Sequence, residues 1–245
     1  MTRAPLTLLL FLLTALAVRP VVGLDNRPNI LFVYTDDQAP WTLGASGNSQ
    51  AHTPNMDRLV REGAYLVNSF VTTPVCSPAR ASLMTSRYAS EYGIMDFIPH
   101  PGHRLYHPAN TVGLDGKSVT FAEVLHDAGY RTGLVGKWHL GDWTEVDSKE
   151  FHPTNHGFDY FMGLTGGGTT PDNPSLEKDG EVRNFKGLTT DILTDHAIEF
   201  IEANVADSFL LCVHYRAPHS RWLPVADADW APYRDLDPVI PNPDY

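Results

Sequence analysis

Three short, nearly continuous apolar runs, at residues 29–35, 130–136 and 209–215, constrain the fold of this chain more than any other feature. A strand that reads apolar at every position, rather than at every second one, is expected to be covered on both faces, as in a parallel sheet. The segments between the runs carry helical periodicity instead. Thr53 is placed to cap a helix opened by Pro54, with Met56, Leu59 and Val60 as its apolar stripe and Gly63 as its stop. Thr120 and Glu123 form a capping box for a second helix carrying Phe121, Val124, Leu125 and Ala128 and ended by Gly129. A third places Ile192, Leu193, His196, Phe200 and Ile201 on one face. Strands alternating with helices, with no internal repeat, predict an α/β fold, a doubly wound and mainly parallel sheet flanked by helices. Residues 165–187, rich in Gly, Pro and charge, read as an irregular excursion.

The N-terminus reads as an address. Arg3 precedes an apolar run from Leu6 to Val18, too short to span a bilayer comfortably, and small residues allow cleavage after Gly23. The expectation is a signal peptide over 1–23, export to a periplasm or cell exterior (the lysosome in a eukaryote), and no membrane attachment after cleavage. Export makes Cys76 and Cys212 informative, since a secreted chain can pair its cysteines. Their contexts differ too much to favour a bridge: Cys212 lies in an apolar run, whereas Cys76 sits in a polar, proline-flanked segment. A net charge of −11 argues against broad contact with nucleic acid or an anionic membrane. An anionic substrate therefore needs a local cluster of positive charge or a bound cation.

Chemistry gathers where the strands end, the edge at which open α/β sheets bind ligands. The first run leads into Asp36-Asp37, the second into Lys137-Trp138-His139 and the third into Ala217-Pro218-His219. Neighbouring residues in a strand face opposite ways, so two adjacent aspartates can share an ion only where the strand has ended. Hard carboxylate oxygens suit Ca2+ or Mg2+. For an isolated pair a solvated turn is the more frequent outcome, and the position after a buried strand tips this only slightly. In Cys76-Ser77-Pro78-Ala79-Arg80, Pro78 fits the first turn of a helix running on through Ala81, Leu83 and Met84. That places residue 76 beside free backbone N–H groups, with Arg80 one turn further on, a setting that favours anions and makes Cys76 a candidate nucleophile.

These segments together resemble the type I sulfatases of the alkaline phosphatase superfamily. The resemblance rests on Asp36-Asp37, the helix from Thr53 to Leu59, Cys76-x-Pro78-x-Arg80 and Gly136-Lys137-Trp138-His139, in order along nearly the whole mature chain. Ser86 departs from the pattern, since the family often has glycine there, and this bears on recognition by the maturation enzyme. The resemblance implies an alkaline-phosphatase-like fold and hydrolysis of a sulfate ester to an alcohol and inorganic sulfate. It further implies that a formylglycine-generating maturation enzyme oxidises Cys76 to Cα-formylglycine, whose gem-diol attacks sulfur and then collapses to release sulfate. By family position Asp36, Asp37 and residue 76 bind Ca2+, and Arg80 holds the gem-diol. Lys137 contacts the sulfate, His139 promotes collapse and His219 stands near the leaving oxygen. The implied substrate is a sulfated small molecule or sulfated glycan.

Phosphonate monoester and phosphodiester hydrolases share this scaffold and nucleophile motif, and a non-catalytic sulfoglycan-binding protein is the alternative outside enzymes. The proline-rich end at Tyr245, without a closing element, predicts that residues 24–245 are an incomplete N-terminal portion of the catalytic domain. The later strands, further calcium ligands and a second sulfate-binding lysine would then be missing. Asp227, Asp229, Asp235, Asp237, Asn242 and Asp244 follow no buried strand and are assigned to no metal. The half-built site is expected to leave Asp36 and Asp37 repelling each other. His156 to Phe161 reads as structural. His100 and His103 could line a substrate mouth, although exposed loop histidines are commoner, and Trp41, Trp138 and Trp222 could stack on a sugar or aryl ring or simply pack.

Overall fold

A computed structural model describes residues 27–107, 112–141 and 150–237. The proposed signal peptide, Asn242 and Asp244 lie outside the described residues. The elements in chain order are β1 (Ile30–Asp36), α1 (Pro54–Glu62), α2 (Cys76–Thr85), α3 (Phe121–Asp127), β2 (Arg131–Lys137), β3 (Tyr160–Leu164), β4 (Ser175–Lys178), β5 (Glu181–Asn184), α4 (Thr189–Ala203), β6 (Phe209–Pro218) and α5 (Asp227–Trp230). They build a sheet in the order β1-β6-β2-β3-β4-β5. The first four of these strands run parallel, and β4 and β5 are antiparallel additions.

Alternation along the central strands explains the layers. Leu134 of β2 and Leu210 and Cys212 of β6 face one core with Ala81 and Met84 of α2 and Ala122 of α3. Val135, Leu211 and Val213 face the other, with Leu193, Ala197 and Phe200 of α4. Both strand faces are covered by helices, which is why β2 and β6 read apolar throughout. The Thr120–Glu123 capping box forms: Thr120 Oγ1 accepts from the Glu123 N–H at 3.1 Å, and the Thr120 N–H donates to Glu123 Oε2 at 2.7 Å. Both cysteines are free thiols. Burial pushes the Cys212 thiol far up, in keeping with a packing role.

Three expectations are corrected. The run at 29–35 is not covered on both faces: β1 is the edge of the sheet, and Leu31 and Val33 are 54% and 55% exposed. An all-apolar run cannot distinguish a strand with two covering layers from one whose second layer is absent among the described residues. The apolar stripe of α1 buries nothing, Leu59 being 69% exposed, and Thr53 makes no capping bond to α1. Its hydroxyl instead accepts from the Gly44 N–H and donates to Asp57. Residues 165–187 are not wholly irregular, because β4 and β5 form a hairpin within them. Its turn is Asp179-Gly180, with φ of 56° and 78°, the left-handed geometry that two-residue hairpins demand and that an Asp-Gly pair supplies. No helix among the described residues is long and apolar enough to cross a membrane.

Candidate active site

The carboxyl ends of β1, β2 and β6 lie side by side, so their terminal residues meet by construction. Val135 pairs with Val213 and Gly136 with His214, while Asp36 lies opposite Pro218 beyond an irregularity in β1. The approach is close enough that a Cβ on Gly136, at φ 116°, would stand 2.0 Å from the His214 carbonyl oxygen. Only glycine fits there, immediately before Lys137.

Asp36 ends β1 and is buried, whereas Asp37 turns into the left-handed region at φ 62° and leaves its side chain exposed. The chain thus separates two adjacent carboxylates. Lys137 Nζ lies 2.5 Å from Asp36 Oδ2, and Arg80 Nη2 approaches the same oxygen at 3.5 Å. Burial works to raise the Asp36 pKa, but Lys137 and Arg80 outweigh it and hold the carboxyl below its ordinary range. The expected repulsion within the pair is therefore corrected: two buried cations balance Asp36, and Asp37 faces His219 Nε2 at 3.6 Å.

Arg80 is buried, and its Nη1 donates to the Lys137 carbonyl at 2.6 Å. Its guanidinium stands 5.1 Å from the Tyr34 ring centroid, and Nη1 lies 3.4 Å from His214 Nδ1. Cys76, half-buried, is the first residue of α2. It lies close enough to Arg80, Lys137 and Tyr34 to act electrostatically on all three. Ser77 Oγ accepts from the Ile98 N–H at 3.1 Å, pinning the start of α2 to the following loop. Ser86, the departure from the family pattern, caps α2 at φ 56°, a conformation that glycine adopts without strain.

His139 is buried, with φ of 56°. Its Nε2 lies 2.8 Å from the Ile98 carbonyl, which can only accept, so Nε2 carries the proton. Nδ1 is then an acceptor, and it is buried with no hydrogen-bond partner. Burial first, then the Lys137 charge, lowers the pKa of this ring to about 4, so it is neutral at physiological pH. A neutral imidazole with an uncommitted ring nitrogen is equipped to accept a hydrogen bond there, while burial and the two cations oppose its protonation.

All seven predicted site residues are thus described, and six of them converge around Asp36 and the start of α2. His219 joins through Asp37. Among the described residues no three His, Cys, Asp or Glu side chains form a ready-made metal cage. The acids nevertheless suit a hard cation in part. Lys137 and Arg80 both engage Asp36 Oδ2, which leaves Oδ1 without a hydrogen bond among the described residues. Asp227, Asp229, Asp235 and Asp237 join no such cluster. Trp138 is buried and donates to the Phe151 carbonyl at 2.7 Å, so it packs rather than stacks on a ligand, and His156 is buried beside it. His100 and His103 stack edge-on at 5.7 Å in a loop.

Sequence reasoning missed Tyr34, His214 and Gly167. His214 is buried with a pKa lowered to about 3 by burial and then by Arg80, and its Nδ1 lies 3.3 Å from the Lys137 carbonyl. A polar residue inside the apolar run 209–215 was its signal. Gly167 left none: a Cβ there would stand 2.4 Å from His139 Cε1.

A sulfatase family model matches residues 28–239. Among curated proteins, the N-acetylglucosamine-6-O-sulfatase of Bacteroides thetaiotaomicron is 33% identical over 202 residues, covering 81% of this chain and 32% of that protein. Human steryl-sulfatase is 41% identical over 143 residues, covering 57% of this chain and 24% of that protein. The chain therefore spans about a third or less of the curated relatives it matches. Among solved structures, Ps i-CgsB in complex with k-i-k-neocarrahexaose superposes with a TM-score of 0.76 at 28% identity, covering 86% of this chain and 49% of that one. BT4656 in complex with its substrate D-glucosamine-2-N,6-O-disulfate gives 0.66 at 33% identity, covering 81% and 36%.

Proposed function

This chain belongs to the sulfatase family, and from that premise we propose that it carries the nucleophile half of a sulfuric ester hydrolase acting on a sulfated sugar or other sulfated alcohol. The observation that carries this reading is the burial of Asp36, Lys137 and His139 at the ends of β1 and β2 together with Arg80 of α2, around the helix start that bears Cys76. In this reading the protein is exported, and a formylglycine-generating maturation enzyme oxidises Cys76. Formylglycine at residue 76 would supply a nucleophilic oxygen and, unlike serine, a route for releasing sulfate. Ca2+ held by Asp36 and Asp37 with the residue-76 oxygen would polarise a sulfate oxygen. Two carboxylates fit its preference for hard oxygen but fill only part of a shell of six to eight.

The chain's own residues account for the remaining chemistry. Lys137 and Arg80 set two positive charges in a buried site, where they oppose the charge that grows on sulfate oxygens far more strongly than they could in water. Arg80 positions residue 76 and is itself fixed by the Lys137 carbonyl and the Tyr34 ring. His139 accepts a hydrogen bond at Nδ1 from the residue-76 hydroxyl, because Nε2 is committed to Ile98. His219 hydrogen-bonds through Nδ1 to the Ser220 carbonyl at 2.7 Å, which turns Nε2 toward Asp37 and the leaving oxygen.

The test is co-expression with a maturation enzyme, mass spectrometry of the tryptic peptide spanning residue 76, and sulfate release from an aryl sulfate. An aldehyde at residue 76 with turnover abolished by Cys76→Ala supports the proposal. Unmodified thiol, or full activity in Cys76→Ala, removes the nucleophile.

A further inference from the structure

We propose that the cavity beside His219 is the subsite for the alcohol half of the substrate, and that it selects a sugar ring carrying a second anionic group. The inference rests on the sulfatase reading, which puts the leaving oxygen at His219. The cavity has a volume of about 350 Å³, within the range of small-molecule sites. Its walls include Thr190 and Leu193 of α4 and Arg216, His219, Arg221 and Trp222 at and beyond the end of β6. His219 therefore joins the two: its Nε2 approaches Asp37 at 3.6 Å, and the residue lines the cavity. A group bound in this cavity is next to the reacting centre.

The charge of the walls gives the ligand its chemistry. Although the chain carries 29 acidic and 18 basic residues, this cavity has two arginines and no acidic residue among those that line it. Neither Arg216 nor Arg221 makes an ion pair among the described residues. The Arg216 terminal nitrogens donate to two neutral carbonyls, His219 O at 3.3 Å and Ser220 O in a closer contact, while its Nε is buried without a partner. Burial first lowers the Arg216 pKa, Asp36 and more weakly Asp37 oppose it from the reacting-centre side, and the nearby Arg221 charge lowers it again, so two like charges face the cavity with no carboxylate bonded to either. Arg221 lines the cavity and is exposed. A sulfate or carboxylate on the ligand is the partner whose planar or tetrahedral oxygens match a guanidinium fork.

Trp222 supplies the ring contact. Its Nε1 donates to the Pro218 carbonyl at 2.6 Å, which fixes the indole against the turn that carries His219. It remains 43% exposed, so an apolar face is presented to the pyranose ring of a bound sugar. The tryptophan anchors the ring, and the arginines read its second charge. Neutral aryl or steroidal sulfates gain only the first of these contacts.

The experiment compares binding and hydrolysis of galactose 6-sulfate and galactose 2,6-disulfate by the full, matured chain, using calorimetry and sulfate release. The disulfate should bind at least tenfold tighter, and the advantage should shrink as ionic strength rises. Arg221→Met, a change at an exposed position, should reduce the advantage below threefold, and Trp222→Ala should weaken both sugars. Equal affinities, or an advantage that survives Arg221→Met and high salt, would overturn the subsite. Equal kcat/KM for sulfate release from the two sugars keeps the hydrolase reading and overturns the subsite alone. Arg221-dependent binding of the disulfate without release from either sugar supports the anion subsite and counts against the hydrolase reading.

Discussion

Replacing Lys137 by methionine removes one charge and keeps most of the side-chain volume, and so isolates the ion pair on which the site is built. In the folded protein Asp36 is 6% exposed and Lys137 is fully buried, with Nζ 2.5 Å from Oδ2. Removing one partner of a buried pair costs roughly 3–5 kcal/mol, because the other charge remains desolvated. Arg80 stays at 3.5 Å from the same oxygen, which puts the expected loss near the lower bound, at about 3 kcal/mol. Against a typical total of about 5–15 kcal/mol this is easily measured by equilibrium denaturation in urea. The pH dependence has a definite sign. Asp36 has a depressed pKa in the wild type, so its contribution is present above the unfolded carboxylate value and is lost as pH falls through the folded one. In Lys137→Met burial is opposed only by Arg80 and, more weakly, His219, Asp36 protonates at higher pH, and the variant sheds its penalty as it does so. The stability gap should therefore be widest near neutrality and close progressively on acidification. Adding Asp36→Asn to Lys137→Met should not recover the loss, because Arg80 then stays buried without a carboxylate partner. A neutral-pH gap below about 1 kcal/mol, the size of an exposed pair, or a gap constant with pH, would refute the reasoning.

Three further outcomes are expected. With a folded pKa of about 4 against an ordinary imidazole value of about 6.5, His139 favours the folded state above pH 6.5, and roughly 3 kcal/mol of stability is lost as pH falls toward 4; in His139→Gln that segment of the stability–pH curve should flatten. Gly167→Ala should push the His139 ring aside, costing about 1–3 kcal/mol in denaturation, and should lower kcat of the matured enzyme more than it raises KM. Ser86→Gly should raise stability by a few tenths to about 1 kcal/mol, because glycine relieves the left-handed strain at φ 56°, and thermal melting will show its sign.

Local chemistry made much of this protein legible without coordinates. The runs at 130–136 and 209–215 announced buried parallel strands because both faces of such strands must be apolar, and the Thr120–Glu123 box announced a helix start because its bonds close within one turn. The ends of those runs pointed to Asp36, Lys137, His139 and His219 because open sheets bind ligands where strands stop. Tertiary structure decided what the same patterns leave open. The apolar run of β1 says that its faces suit burial, yet which strand becomes the edge depends on sheet order, a property of distant segments. Asp36 and Asp37 are equivalent in sequence, and only the turn at Asp37 with the arrival of Lys137 and Arg80 from other elements gives one a buried, doubly paired carboxylate and the other an exposed one. His214 and Gly167 owe their roles to contacts with Arg80, Lys137 and His139, far from them along the chain. Periodicity and capping are short-range and survive in a string of letters. Pairing, burial and the pKa values they set are fixed only when residues remote in sequence are brought within a few ångströms.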